Sequence, residues 1–353
     1  MSTGAVITAA GMVTALGDTA ASTTAAVRAR LTRFREWPSY PCLPADPPRP
    51  EEPFSVVAAY TDLPRALDLP VRLLALALQD LATSADLARA DLEDASFFLA
   101  RPSPGPSAHH HELRDAFRER VADAAGVDAV TRGLLAPDGH AAMLLGLAHA
   151  ARAVEADPGT PWIVAGADAL VDVGLLEALD HARRLKSRRN LDGFIPGEAA
   201  AALLVEHRRR AEARGAPILA EIEGSGVGQE PQTVESGDPP SGAALAAALA
   251  AACAAGGPPA WVLCDLNGES YRAKEWGLAR VRAPALLGGV RALWHPADGY
   301  GDVGAATGGC LAAACVRSFE RGASPAGRAA LFAGSGDGTR AAVCLVSAAA
   351  KRA

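Results

Sequence analysis

Short apolar runs of strand character alternate with helix-like stretches from one end of this chain to the other. The strand-like runs are Ala5 to Thr8, Trp162 to Gly166, Ala200 to Val205, Ile218 to Ile222, Trp261 to Leu266, Ala329 to Ala333 and Ala342 to Val346. Between them the spacing predicts helices over Ala20 to Ala29, Val71 to Ala85, Ala141 to Glu155, Ala243 to Ala254 and Ala305 to Phe319. Such alternation demands α/β layers, because each strand face and helix stripe must find an apolar partner. With 353 residues, half of them apolar, the chain exceeds one ordinary domain of about 100–200 residues. Two fused halves are expected, 1–207 and 208–353, divided where the arginines 208, 209, 210 and 214 read as a solvated turn after a buried strand.

A net charge of -6, drawn from 34 basic and 40 acidic residues without a long block of either sign, argues against a nucleic-acid surface. The N-terminal stretch has no basic leader with a cleavable apolar core. The longest apolar run, Ala243 to Ala255, is too short to cross a bilayer, which takes about 20 residues. A cytoplasmic protein with no membrane contact is expected. The six cysteines, 42, 253, 264, 310, 315 and 344, form no Cys-x-x-Cys pair and read as buried thiols. Irregular surface is predicted over Pro38 to Pro53, Arg101 to His111 and Gly228 to Gly242. The His109-His110-His111 run lacks an acidic or cysteine partner at ligand spacing, so it reads as solvated loop and no metal site is expected.

Several segments, in order along the chain, resemble the β-ketoacyl synthase family. Asp192-Gly-Phe-Ile-Pro-Gly-Glu198 and the alanine-rich run after it resemble the ketosynthase segment that leads into a buried strand. Val6 to Gly17 is similar to the family's first strand and loop, and Ala165 to Leu170 to its strand after the central helix. Gly301 to Gly308 is similar to the turn carrying the last histidine, and Ala333 to Ala341 to the C-terminal glycine-rich loop. The resemblance implies a thiolase-like α/β fold, a duplicated βαβαβαββ in five layers, α-β-α-β-α, usually dimeric, with site residues from both halves meeting in one pocket.

At the family's catalytic positions the chain departs from the pattern. Its nucleophilic cysteine, at a tight turn before the central helix where amides and the helix dipole favour thiolate, corresponds to His140. The first histidine, after a buried strand, corresponds to Asn267, which can donate to a carbonyl but carries no positive charge. The second corresponds to Asp302, whose charge would repel a malonyl carboxylate. The family's lysine five residues before that histidine aligns with Ala297, and its phenylalanine gate with Gly336. Glu198 is retained, in the family a structural hydrogen-bonding residue.

The resemblance therefore implies a ketosynthase-like protein of acyl, fatty-acid or polyketide metabolism without Cys-dependent condensation. The reading it favours is a non-condensing partner, as chain-length factors are, in a homodimer or a heterodimer with a competent ketosynthase, with an acyl carrier protein as possible partner. No cofactor is implied; a phosphopantetheine-linked acyl group is the possible substrate. Substrate-binding candidates are Glu269, Tyr271, Arg272 and Lys274 on the loop after Asn267, with Gly336, Gly338 and Thr339 on the C-terminal loop. Arg272 and Lys274 have a bland reading as solvated surface. A second functional reading is an acyltransferase or hydrolase on acyl thioesters in which Asp302 orients His140. A malonyl decarboxylase ranks lower, because such relatives keep both histidines.

Overall fold

The computed structural model describes residues 4–41, 55–66, 68–187 and 190–348. Twelve strands occur among them. They are β1 (Ala5–Thr14), β2 (Arg35–Pro41), β3 (Ser55–Ala58), β4 (Ser96–Ala100), β5 (Leu134–Leu135), β6 (Trp162–Ala169), β7 (Glu198–His207), β8 (Ala220–Gln229), β9 (Trp261–Cys264), β10 (Ala292–Trp294), β11 (Arg328–Gly334) and β12 (Thr339–Ser347). Strands β2 and β3 form a separate hairpin, and the other ten are joined in the order β10-β9-β11-β12-β8-β1-β7-β6-β4-β5. From the centre outward each half follows one plan: β1-β7-β6-β4-β5 matches β8-β12-β11-β9-β10. In both, the two inner pairings are antiparallel and the two outer ones parallel. The halves meet where β1 pairs with β8 over two residues. This is a duplicated βαβαβαββ.

The apolar runs explain the layering. Along β7, Ala199, Ala201, Leu203 and Val205 belong to one buried cluster, and Ala200, Ala202 and Leu204 to another. Both faces of the strand are therefore covered, which is why the run is apolar throughout and does not alternate with polar residues. The cluster between the two half-sheets contains the central helices Ala142–Ala156 and Thr307–Glu320. Outside them, Leu69–Ala85 and Phe117–Ala125 cover the first half-sheet, and Ala243–Ala252 and Ser270–Arg282 the second. Five layers, α-β-α-β-α, result.

Gly11 shows how closely the outer helix lies on β1. A Cβ there would sit 2.0 Å from the Ala77 carbonyl oxygen and 2.5 Å from the Leu81 nitrogen, both backbone atoms. Gly11→Ala is expected to cost at least about 1–3 kcal/mol, the usual range for overpacking, because a helix must move and no side chain can yield instead. Urea unfolding would show it as a lower midpoint at unchanged slope.

Three expectations are corrected. Ser107 caps a helix, Ala108–Asp115, that takes in all three histidines of the expected loop, and the His110 ring lies between Ser107 and Asp172. The arginines after β7 form no solvated turn. They start a short helix, Arg208–Ala213, in which Arg210, with Arg214 just beyond it, pairs with buried Glu206 and Arg208 with buried Glu221. These pairs discharge carboxylates that strand burial would otherwise leave uncompensated. In the proline-rich stretch, residues 42–53, Cys42 among them, lie outside the described residues, while Pro38 to Pro41 belong to β2. The other five cysteines are buried free thiols.

Candidate functional site

Asp302 lies just before the central helix of the second half, on an extended segment clamped by the first half. Its N–H donates to the Ile195 carbonyl at 2.7 Å and its carbonyl accepts from Gly197 N–H at 2.7 Å. The Asp192–Glu198 segment thus fixes Asp302 across the interface of the halves. Asp192 also caps the helix Ser270–Arg282, accepting from Ser270 N and Oγ at 2.6 and 2.5 Å. Glu198, fully buried, accepts from Thr61 and Arg65.

The structure brings His140, Asn267 and Asp302 together. His140 Nε2 is 2.7 Å from Asp302 Oδ1, which also accepts from Gly304 N–H at 2.9 Å. Asn267 Nδ2 donates to Asp302 Oδ2 at 2.6 Å and to Glu269 Oε2 at 3.0 Å, and its Oδ1 accepts from Glu269 N–H at 3.1 Å. Both functions of the amide are consumed within the protein. His140 stands at a tight turn made possible by Gly139, whose φ of +96° is left-handed territory. The Ala141 N–H that follows donates to Ser335 Oγ at 3.1 Å, so an amide at this helix end that would otherwise serve an anion is already taken.

Ion pairs tighten this set. Arg184 binds Glu269 through two nitrogens, at 2.7 and 2.9 Å. Arg272 donates to Asp265 Oδ2 and, at 3.1 Å, to the Gly334 carbonyl, with its Nε 3.5 Å from Glu269. Burial pushes the Asp302 carboxyl up, but His140, Arg272 and Asn267 together outweigh it and hold the group well below the usual carboxylate range. Glu269 is likewise held low, the hydrogen bond and charge of Arg184 and the charge of Arg272 overcoming its burial. For Arg272, burial favours the neutral form, but Asp265 and Glu269 prevail and raise its pKa.

The cavity bordered by His140, Asn267, Tyr300, Asp302 and Thr307 is about 10 Å³. A single water needs roughly that much and an acyl chain far more. Arg272 is neither solvated surface nor open to a phosphate, because its three partners bury it. Tyr271 donates to the Gln232 carbonyl and accepts from Arg340 at 2.9 Å; burial raises its pKa to about 12. Lys274 and Gly336 are exposed, Gly338 is a buried turn residue with φ +91°, and Thr339 opens β12; none of these four lines the cavity beside the trio. Sequence reasoning missed Arg184, Asp265 and Ser335. Only Asp265, at the end of a buried strand two residues before Asn267, carried a signal. Among the described residues no group of three or more His, Cys, Asp or Glu is placed to hold a metal, and no helix is long and apolar enough to cross a membrane.

No family model matches the sequence, and neither does any curated protein. Solved structures similar to it are ketosynthases. One is the oxazolomycin ketosynthase domain OzmH KS7 of Streptomyces albus, at TM-score 0.76 and 18% identity over 98% of this chain and 75% of that one. Another is the hexaketide-bound ketosynthase in complex with its type II PKS acyl-carrier protein, AntDE:AntF, at TM-score 0.79 and 14% identity over 97% and 98%. A third is the ketosynthase ApeO in complex with its chain length factor ApeC, from Xenorhabdus doucetiae, at 0.73 and 16% over 98% of both. At such identities the likeness establishes the thiolase-like fold.

Proposed function

We propose that this chain is a non-condensing ketosynthase homologue that acts as the partner subunit of a condensing ketosynthase in acyl or polyketide assembly. One observation carries the reading: the three positions that handle charge in the family bind each other around a cavity of about 10 Å³. No nucleophile, cationic donor or substrate volume is left for condensation. The partner role is supported by the open edge of the large sheet. Among the described residues strand β5 pairs only with β4, and Leu134 and Leu135 on it are 46% and 38% exposed. An apolar edge strand is a template for another chain. Solved structures of similar fold include ketosynthases paired with chain length factors.

Incubation with acyl-carrier-protein thioesters followed by intact-mass measurement tests the first half of the reading. The mass is expected to remain that of the unmodified chain; a persistent acyl adduct would overturn it. A second reading is kept because His140 and Asp302 have the 2.7 Å geometry of an acid–base pair. In that reading His140 activates water or a hydroxyl against an acyl thioester. Any thioester turnover by the protein that survives His140→Ala would remove it.

A further inference from the structure

We infer that a cleft between the two halves, lined by Arg28, Arg30 and His295, binds the phosphate or diphosphate group of a small molecule. The helix Ala20–Arg28 ends in a reversed turn, with Arg30 N–H donating to the Val27 carbonyl and Leu31 N–H to the Ala26 carbonyl, each at 3.0 Å. Arg30 has a φ of +55°, the position in such a cap that glycine normally fills. An arginine held there against its backbone preference is an outlier that asks for a reason.

The reason lies in what the side chain borders. Arg28, Arg30, Trp294, His295, Pro296 and Asp298 are among the residues around a cleft of about 380 Å³. Among the described residues neither arginine has a carboxylate within ion-pair reach, whereas nearby Arg33 and Arg35 both pair with Asp62. The one carboxylate lining the cleft, Asp298, is 3.6 Å from His295 Nδ1. Two unneutralised guanidiniums two residues apart offer planar donor forks suited to phosphate oxygens, and their summed charge favours a multivalent anion over a carboxylate. Trp294, edge-on to Trp261 at 4.9 Å, gives the cleft an aromatic wall. Pro296 also borders the small cavity beside Asp302, while none of the trio lines the cleft. The site does not depend on any reaction at His140.

One wall comes from the first half and the other from the second, so a ligand seated here stabilises the folded chain by mass action. Inorganic phosphate and pyrophosphate, titrated into the full chain at constant ionic strength, test the site by two readouts: the Trp294 indole NMR signal, assigned with Trp294→Phe, and the melting temperature. Saturable shifts are expected with both anions, pyrophosphate binding more tightly. Arg28→Ala should weaken binding about tenfold or more. Arg30→Gly should weaken it similarly while raising the melting temperature of the ligand-free protein, since glycine relieves the left-handed turn. The proposal fails if no saturable shift occurs, if chloride reproduces it at equal ionic strength, or if both variants bind like the parent. A loss of ligand-free stability in Arg30→Gly would overturn the part that assigns the strained arginine to binding.

Discussion

Replacing Asp302 with alanine is expected to cost about 3–5 kcal/mol of folding stability, the range for removing one partner of a buried charged set. Its side chain is 1% exposed and receives His140, Asn267 and the Gly304 N–H, with the Arg272 charge nearby. Alanine would leave those donors without their anionic acceptor, and a water entering the vacated space would bring no charge to replace it. His140→Ala should cost less, because Asp302 keeps Asn267 and Gly304 as donors. The sign with pH follows from the depressed carboxyl. The folded group titrates below its unfolded value of about 3.9, so its stabilisation is present above that value and is lost as pH falls below it. Denaturant midpoints of parent and Asp302→Ala should therefore differ at pH 7 and converge in acid. Equal midpoints at pH 7 would mean that Asp302 does not hold the site together.

How the chain folds was legible where residues serve the fold. The apolar continuity of β7 reflects burial on both faces, and the five helices inferred from spacing each bury at least one stripe, which sequence records directly. The Asp192–Glu198 segment could be matched because its ends have structural duties: Asp192 caps a helix of the other half, and Glu198 anchors Arg65 and Thr61. The short strands were not legible, since β5 has two residues and β10 three, too few for a period to appear. Nor was the closure of the site. Arg184 reaches Glu269 across 85 residues and Ala141 reaches Ser335 across 194. Such contacts leave no local pattern, so a sequence shows which groups occupy a pocket without showing that they satisfy one another.

If the proposed partner role holds, Leu135→Pro is expected to separate this chain from a condensing ketosynthase. Just after β5, Ala136 N–H donates inward to the Leu99 carbonyl at 2.8 Å. Successive residues of a strand point their N–H groups to opposite sides, so the Leu135 N–H faces the open edge. Proline there removes the outward donor and places its ring where a pairing strand would come, while the inward bond to β4 remains. The damage is thus directed at association, and melting of the isolated chain should change little. The measurement is co-expression with a condensing ketosynthase, followed by mass determination of the eluted species. The parent should elute as a heterodimer and Leu135→Pro as separate chains, with product formation by the pair falling to that of the ketosynthase alone. A parent that forms only homodimers would move the edge to self-association and end the partner reading. A variant that pairs as well as the parent would show that the contact lies elsewhere. The edge and the small cavity are independent features, one at the rim of the sheet and one between the halves. The proposed role, joining a condensing complex without condensing, draws on both.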